Sequence, residues 1–425
     1  MKKQSVKIIV DVIMTVLLLL LMAFELIGRT AHEWFGVGMF VMFVIHHILP
    51  QVDRASPEGK VYARPSVPDD PGGAGPALHL VLHGERDRPL QACLCLSPDR
   101  GSQENKSRHR QIFFAMDTYM TFTAYGDEAG DALSQAEEEI RKLESEWSVT
   151  EEDSEIWKVN HSGGQPVTLS DETAQVLRFA LDMAEETGGA LEATIYPVLT
   201  AWGFTTDENR IPGEEELRSL LENVGYEKVD LDGNQITLPA GMELDLGAVG
   251  KGYAGDLTAE LLEAEGITSA LLDIGGNVQA VGARPDGTDW RLGLRNPYGE
   301  GTIGVLSVSD CAVVTSGNYE RYFVGEDGKE YGHIIDPKTG HPVDNGLASV
   351  TIITEEGKKG DALSTSMFVK GLDQAQEYWR AHPDFDMILI TEDGQIYLTE
   401  GVQDRFEVSA SFENMELHVI RADDE

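Results

Sequence analysis

The sequence predicts an α+β domain over residues 111–425, preceded by one or two transmembrane helices, and three observations carry that expectation. From Gln111 onward, strand-like and helix-like periods interleave without a strict β-α-β repeat and hairpin signals recur, which favours α+β over a doubly wound sheet. Residues 8–27 form a mostly apolar stretch that spans about one bilayer core as a helix. Residues 51–110 scatter Pro, Gly, Asp, Arg and Ser with neither period and read as an irregular linker.

Lys2, Lys3 and Lys7 precede the first apolar stretch, as at a cytoplasmic N-terminus, and no small-residue cleavage site follows, so an uncleaved anchor is expected. A second apolar run at 34–49 is shorter and lies between His32 and the His46-His47 pair. One span would leave the domain outside the cytoplasm and two would return it. Asp11, Glu25, His32, His46 and His47 lie in or beside these spans, where ionisable groups are costly. They fit either haem ligation by a histidine pair or interfacial end groups. The stretch GRTAHEWFGVGMFVMFVIHHILP resembles the opening of a small bacterial membrane family, DUF4405, of which only the first two helices would be present.

Within the domain the elements follow from period and punctuation. MTFTAYG reads as a strand and 127–146 as an amphipathic helix rich in Ala, Glu and Leu. A second helix over 171–187 begins after the N-cap candidate Ser170 and stops at Gly188-Gly189. A short helix is expected at 213–224, strands near 228–238, and a helix over 249–264. SALLDIGG and NVQAVGA are apolar strands joined by a Gly-Gly-Asn turn, a hairpin signal. Strands follow at 290–294, 304–308, 312–315 and 348–353; a helix begins at Asp361, and strands near 387–390 and 395–398 close the chain.

Asp+Glu number 73 against 33 Lys+Arg, a net charge of −40. That argues against a nucleic-acid-coating protein, which needs a basic face to displace counterions. It leaves room for one anion held by backbone N–H groups or by a metal ion. Cys93, Cys95 and Cys311 fit neither a disulfide framework nor a metal knuckle.

Three stretches could carry chemistry. LDLGAVGKGYAGD, residues 244–256, passes from a strand into a helix with small residues throughout. Its N–H groups could meet a phosphate, or the run could simply let a helix start pack on a strand. Gly247, Gly250 and Gly252 run in the reverse order to the dinucleotide fingerprint, and Lys251 lacks the spacing of a P-loop. In KKGDALSTSMFVKG, Asp361 and Thr365 stand four apart on one helix face, a carboxylate and a hydroxyl that suit Mg²⁺; alternatively Asp361 is only an N-cap. His333 lies before the turn at 336–340 and could act as a general base or as a structural hydrogen-bonder. Trp202 could stack on a flat ring or be buried.

Taken in order, AMDTYMTF, SEIWKVN, GGALEATIYPVLTAWGF, the run from LDLGAVGKGYAGD through LLDIGGNV, VVTSGNYERYF, HIIDPKTGHPV and GDALSTSMFVKG resemble the ApbE family, the FAD:protein FMN transferases, over about 111–420. The resemblance implies a T-fold-related α+β domain that moves FMN from FAD to a Ser/Thr hydroxyl of an acceptor protein and releases AMP. It implies Mg²⁺ held by Asp361, Thr365 and the Ala248 carbonyl, with Ser364 at a further position. It places FAD against Met116, Trp147, Ala190, Leu191, Glu192, Asp245, Lys251 and one of Ile334-Ile335, with His333 as base. The expected acceptor is a flavoprotein subunit bearing a Ser/Thr-Gly-Ala-Ser/Thr motif, and the expected place is the outer side of a bacterial cell membrane. Family Met-Gly-Thr stands here as Met116-Asp117-Thr118 and Asp-Pro-Thr as Glu192-Ala193-Thr194, which implies a stiffer first turn and a looser second. No Gly-Ala pair of this chain follows Ser or Thr, so self-modification is not expected. Hydrolysis of FAD to FMN and AMP at the same metal site, and flavin binding without turnover, are the alternative functions.

Overall fold

A computed structural model of the protein describes residues 107–206 and 208–423, together with the backbone of 94–95. The expected spans at 8–27 and 34–49, their histidines, the DUF4405-like opening and most of the linker lie outside the described residues. Among the described residues no helix is long and apolar enough to cross a membrane.

In chain order the strands are β1 (Leu94–Cys95), β2 (Arg108–Ala115), β3 (Thr118–Tyr125), β4 (Val167–Thr168), β5 (Asp230–Asp232), β6 (Gln235–Thr237), β7 (Ala270–Ile274), β8 (Asn277–Val281) and β9 (Trp290–Arg295). They continue as β10 (Thr302–Val308), β11 (Cys311–Gly317), β12 (Tyr322–Val324), β13 (Glu330–Gly332), β14 (Leu347–Thr354), β15 (Asp386–Thr391), β16 (Gln395–Thr399), β17 (Phe406–Val408) and β18 (Glu416–Ile420). A nine-stranded sheet runs β18-β16-β15-β14-β11-β8-β7-β3-β2, and a four-stranded sheet runs β1-β9-β10-β17. The large sheet is antiparallel except where β16 meets β18. This is the expected mixture of hairpins and helices, with β1 a short strand inside the stretch read as linker and pairing with β9.

Alternation along β15 shows how the sheet is sandwiched. Met387 and Leu389 join the core under the helices, while Ile388 and Ile390 join the core beneath the four-stranded sheet. Burial on both faces accounts for the unbroken apolar run in a strand whose side chains alternate. The helices Ala129–Trp147, Asp171–Glu186, Gly250–Ala264 and Gly357–Ala381, the last broken by a kink at Gly371 (φ 76°), supply the first core. Ser170 caps its helix as expected, accepting the Thr173 N–H at 3.2 Å. A third cluster gathers Val198, Trp202, Phe204, Leu217 and Ile335. Trp202 is fully buried there and donates its indole N–H to the Gly340 carbonyl at 2.7 Å, so it is a packing residue and stacks on no ligand.

Two elements differ from the expectation in instructive ways. The domain opens with β2 at Arg108, and β2 turns into β3 through Met116 and Asp117, both with positive φ (50° and 57°). Two left-handed residues in a two-residue loop suit the twist of a hairpin, and Asp tolerates that region better than most residues. Asp117 therefore serves this turn where the family has glycine.

The helix expected to begin at Asp361 begins at Gly357. Asp256 of the glycine-rich helix Gly250–Ala264 accepts the Gly357 N–H at 2.5 Å and the Lys358 N–H at 3.0 Å. A cap from another helix does this work, so no local cap residue marks the start. Asp361, one turn in, accepts the Gly252 N–H of the glycine-rich helix at 2.9 Å, so each helix caps the other. The N-cap reading of Asp361 fails because its partner lies across the helix pair.

The pair touches where neither residue has a side chain. A Cβ on Gly252 would overlap the Gly357 carbonyl and lie 2.7 Å from the Asp361 Cβ. Gly252→Ala should therefore lower stability by about 1–3 kcal/mol, the usual cost of overpacking, as read from denaturant melts. An unchanged midpoint would show that the helices separate freely and that the contact is not a constraint.

Candidate functional site

The site forms around the start of the glycine-rich helix. Residues 244–249 enter it from a parallel bridge between Glu243 and Ile195. The Asp245 N–H donates to the Ala193 carbonyl at 2.8 Å, which fastens this segment to the 190–195 turn. The Asp245 carboxylate accepts the Gly247 N–H. Burial pushes the Asp245 carboxyl up, while that N–H, Lys251 and Arg321 pull it down.

Asp361 is 5 % exposed. Burial raises its carboxyl above the usual range against the pull of Lys251, the Gly252 and Lys251 N–H groups and the Asn277 amide. Asn277 Nδ2 is buried beside that carboxylate without a well-formed hydrogen bond and has no other partner among the described residues. Ser364, also fully buried, donates to the Asp361 carbonyl at 3.0 Å and lies 2.9 Å from the Ser316 hydroxyl. Ser316 is in turn 3.5 Å from the Thr365 hydroxyl. Three hydroxyls thus meet where the helix Gly357–Ala381 faces β11, one of them donating to the Asp361 main-chain carbonyl.

Lys251 exerts its charge on Asp245, Glu320, His333 and Asp361, which places all four around it. Glu320 and Ser316 were not singled out by sequence reasoning although both lie within VVTSGNYERYF. The only local sign of Glu320 is an acid directly after a strand. Burial pushes Glu320 up to about 7, opposed by Lys251 and Arg295 and reinforced by Asp361.

His333 is partly buried, and burial, with Arg321 and Lys251, lowers it to about 4. Its Nδ1 lies 3.1 Å from the Arg321 carbonyl, which also accepts the His333 backbone N–H at 3.0 Å. A carbonyl can only accept, so Nδ1 carries the ring hydrogen and Nε2 is left as the basic nitrogen.

The expected flavin residues divide into two groups. Ala190, Leu191 and Glu192 are buried beside Asp245, and Ile334 is buried behind His333. Glu192 accepts the Thr194 N–H at 3.0 Å, the Thr194 hydroxyl at 2.7 Å and the Tyr226 N–H at 2.9 Å. Those bonds fix the turn that was expected to be loose for want of proline. Met116 stands at the β2–β3 turn, its N–H donating to Glu144 Oε1 at 2.7 Å. Trp147 is only 7 % exposed; its ring packs edge-on to Tyr253 and its N–H donates to the Thr173 hydroxyl at 3.1 Å, so ring and donor are both engaged in the core.

Among the described residues no group of three His, Cys, Asp or Glu could hold a metal. The oxygen set of Asp361, Thr365, Ser364 and the Ala248 carbonyl is of another kind. Carboxylate, hydroxyl and carbonyl oxygens are by their chemistry ligands for a hard cation and not for zinc.

Comparison with known proteins gives one answer. The ApbE family model matches residues 116–389. The FAD:protein FMN transferase of Treponema pallidum is 34 % identical over 288 residues, covering 63 % of this chain and 79 % of its own. That of Klebsiella pneumoniae is 33 % identical over 273 residues, 63 % of this chain and 84 % of its own. The crystal structure of the ApbE protein of Thermotoga maritima, 30 % identical, superposes with a TM-score of 0.65 over 73 % of this chain and 99 % of its own. The flavin transferase ApbE of Vibrio cholerae, 26 % identical, gives 0.62 over the same 73 % and 99 % of its own.

The buried acids set a pH signature. Asp256 is pushed up to about 6, and Asp273 and Glu320 to about 7, chiefly by burial. A carboxyl raised above its unfolded value contributes stability that is complete below that value and lost as pH rises through the folded one. His333, lowered to about 4, opposes this below its ordinary 6.5, but it is one group against three. In metal-free buffer the melting temperature should fall as pH rises from about 5 to about 8, and Glu320→Gln with Asp273→Asn should remove most of the slope. A flat or rising profile would mean these carboxyls are solvated.

Proposed function

The chain belongs to the ApbE family, and on that premise we propose that it transfers FMN from FAD to a Ser/Thr hydroxyl of an acceptor protein, with Mg²⁺, releasing AMP. The observation that carries the reading is the grouping of Asp361, the Ser and Thr hydroxyls, Lys251 and His333 around the first turn of the glycine-rich helix. Acid, cation, base and helix N-terminus are the parts that phosphoryl transfer needs in one place.

Asp361, Thr365 and the Ala248 carbonyl would hold Mg²⁺, with Ser364 behind them. The buried Asn277 amide, with no other partner among the described residues, is a donor available to a ligand oxygen beside that carboxylate. The cation supplies charge neutralisation on the pyrophosphate, which this −40 chain would otherwise repel. Asp245, Lys251 and the 190–192 turn would line the FAD, with Met116 and Ile334 at its edges. The acceptor hydroxyl attacks the FMN phosphorus in line and the bond to the AMP oxygen breaks. His333 Nε2 takes the hydroxyl proton. Burial first, and then Arg321 and Lys251, hold His333 low; an anionic pyrophosphate beside those two cations would offset the charge part of that shift and move the imidazole toward a working basicity.

The test is intact-mass spectrometry of the chain mixed with FAD, Mg²⁺ and an acceptor bearing Ser/Thr-Gly-Ala-Thr. One FMN should be gained by the acceptor and none with Asp361→Ala. Free FMN and AMP with an unmodified acceptor would favour hydrolysis, and retained FAD without turnover would favour a carrier. His333→Ala should lower kcat by about 10²–10⁴-fold, the range for a general base. The acid limb of kcat should lie at higher pH than that of kcat/KM, since the first reports the liganded site; coincident limbs would remove His333 from the role. We also propose a membrane-tethered domain facing outward. Cys311 is buried and its thiol pushed up to about 11, so labelling needs a surface site such as Glu152→Cys. Protection of that cysteine in intact cells from an impermeant maleimide would place the domain inside.

A further inference from the structure

We infer that the outer edge of β12 receives the acceptor protein as an added strand, which delivers its hydroxyl to His333. The inference rests on the transferase reading above and concerns a surface that reading does not use. β12 and β13 form a separate two-stranded sheet, pairing Tyr322 with Gly332, Phe323 with Tyr331 and Val324 with Glu330. Its base is the site itself, because β12 follows Glu320 and Arg321 directly and β13 runs into His333.

The hydrogen-bond register decides which edge is open. The His333 N–H donates to the Arg321 carbonyl at 3.0 Å and the Gly325 N–H to the Lys329 carbonyl at 2.8 Å. Bonded pairs alternate along an antiparallel ladder, so Arg321, Phe323 and Gly325 face the partner strand. The N–H and C=O groups of Tyr322 and Val324 therefore point to the outer edge. The inner face of the hairpin is rigidly seated. Phe323 stacks on Tyr331 with centroids 5.4 Å apart, and both rings lie against Trp202.

The opposite face carries apolar side chains in water: Tyr322 is 45 % exposed and Val324 59 %. An edge strand with apolar, exposed side chains is a pairing template that proteins otherwise blunt with charge or proline. β12 itself carries no charge: Glu326, Asp327 and Lys329 lie at the hairpin tip, and Glu330, paired with Val324, stands on the partner strand. The charge of the chain selects the occupant. At −40, with acids at the tip and Glu214, Glu215 and Glu216 in the nearby short helix, it repels an acidic segment and a second copy of itself. The partner that fits is an extended, neutral or basic segment with alternating apolar side chains, bound through its backbone and anchored in two places.

The test uses the full chain and an inert carrier protein fused to an extended segment containing Ser-Gly-Ala-Thr. Its binding is read by fluorescence anisotropy without FAD, and FMN transfer is read separately. Tyr322→Ser with Val324→Ser, and Val324→Pro, which removes one edge N–H, should each raise Kd and acceptor KM about tenfold or more. FAD affinity and kcat should stay near wild type, and Tyr322→Phe should restore wild-type values. Acceptor Kd and KM within twofold of wild type in both variants would overturn the inference while transfer still stands. A shift in oligomeric state with unchanged acceptor KM would also overturn it, since the edge would then pair two copies. Lost binding in the variants, with no transfer by the wild type, would uphold the docking edge and sink the transferase reading.

Discussion

The arrangement turns on one exchange of hydrogen bonds. Asp256 of the glycine-rich helix caps the long helix, and Asp361 of the long helix caps the glycine-rich one. Each helix end has N–H groups that must find acceptors, and here each finds them on its neighbour. The exchange is possible only because Gly252 and Gly357 let the two backbones touch. It settles where the long helix begins, and through that the direction in which Asp361, Ser364 and Thr365 project. β11 then brings Ser316 against them, and the 190–195 turn is tied to the same segment through Asp245.

The electrostatic cost of this geometry falls on the acids. Asp245, Asp256, Asp273, Glu320 and Asp361 are all raised, chiefly by burial. Lys251 stands among several of them and lowers the histidine as well. A site so arranged is out of balance alone: it holds carboxyls reluctant to ionise and a base reluctant to accept a proton. A cation beside Asp361 and an anion beside Lys251 would relieve both. That complementarity is what the proposed metal-assisted phosphoryl transfer would draw on.

Much of this was legible in the sequence, and the failures have causes. The helices over 127–146, 171–187 and 249–264 announce themselves by period and punctuation, and the structure sets them within a few residues of those bounds. β2 was missed in part because RHRQIFFA lacks clean alternation, and β12 and β13 because three-residue strands have no period to read. The start of the long helix was misplaced because its cap comes from a residue about a hundred positions away. Trp147, grouped with the flavin residues by resemblance, meets Tyr253 and Thr173 in the core, contacts that the order of motifs does not state.

The sequence by itself determined what is local or additive: the charge, the class of fold, the helices with strong period, and the family, carried by seven motifs in order. Helix caps such as Ser170 belong there too, since donor and acceptor lie three residues apart. Only the tertiary structure decided which groups meet. Glu320 acquires its raised pKa from burial and from Asp361 of another element, Asn277 its place beside the Asp361 carboxylate from close packing, and β12 its open edge from a register set across a hairpin. Burial, charge coupling and strand register are properties of pairs distant in sequence, and a single chain read in order does not state which pairs will form.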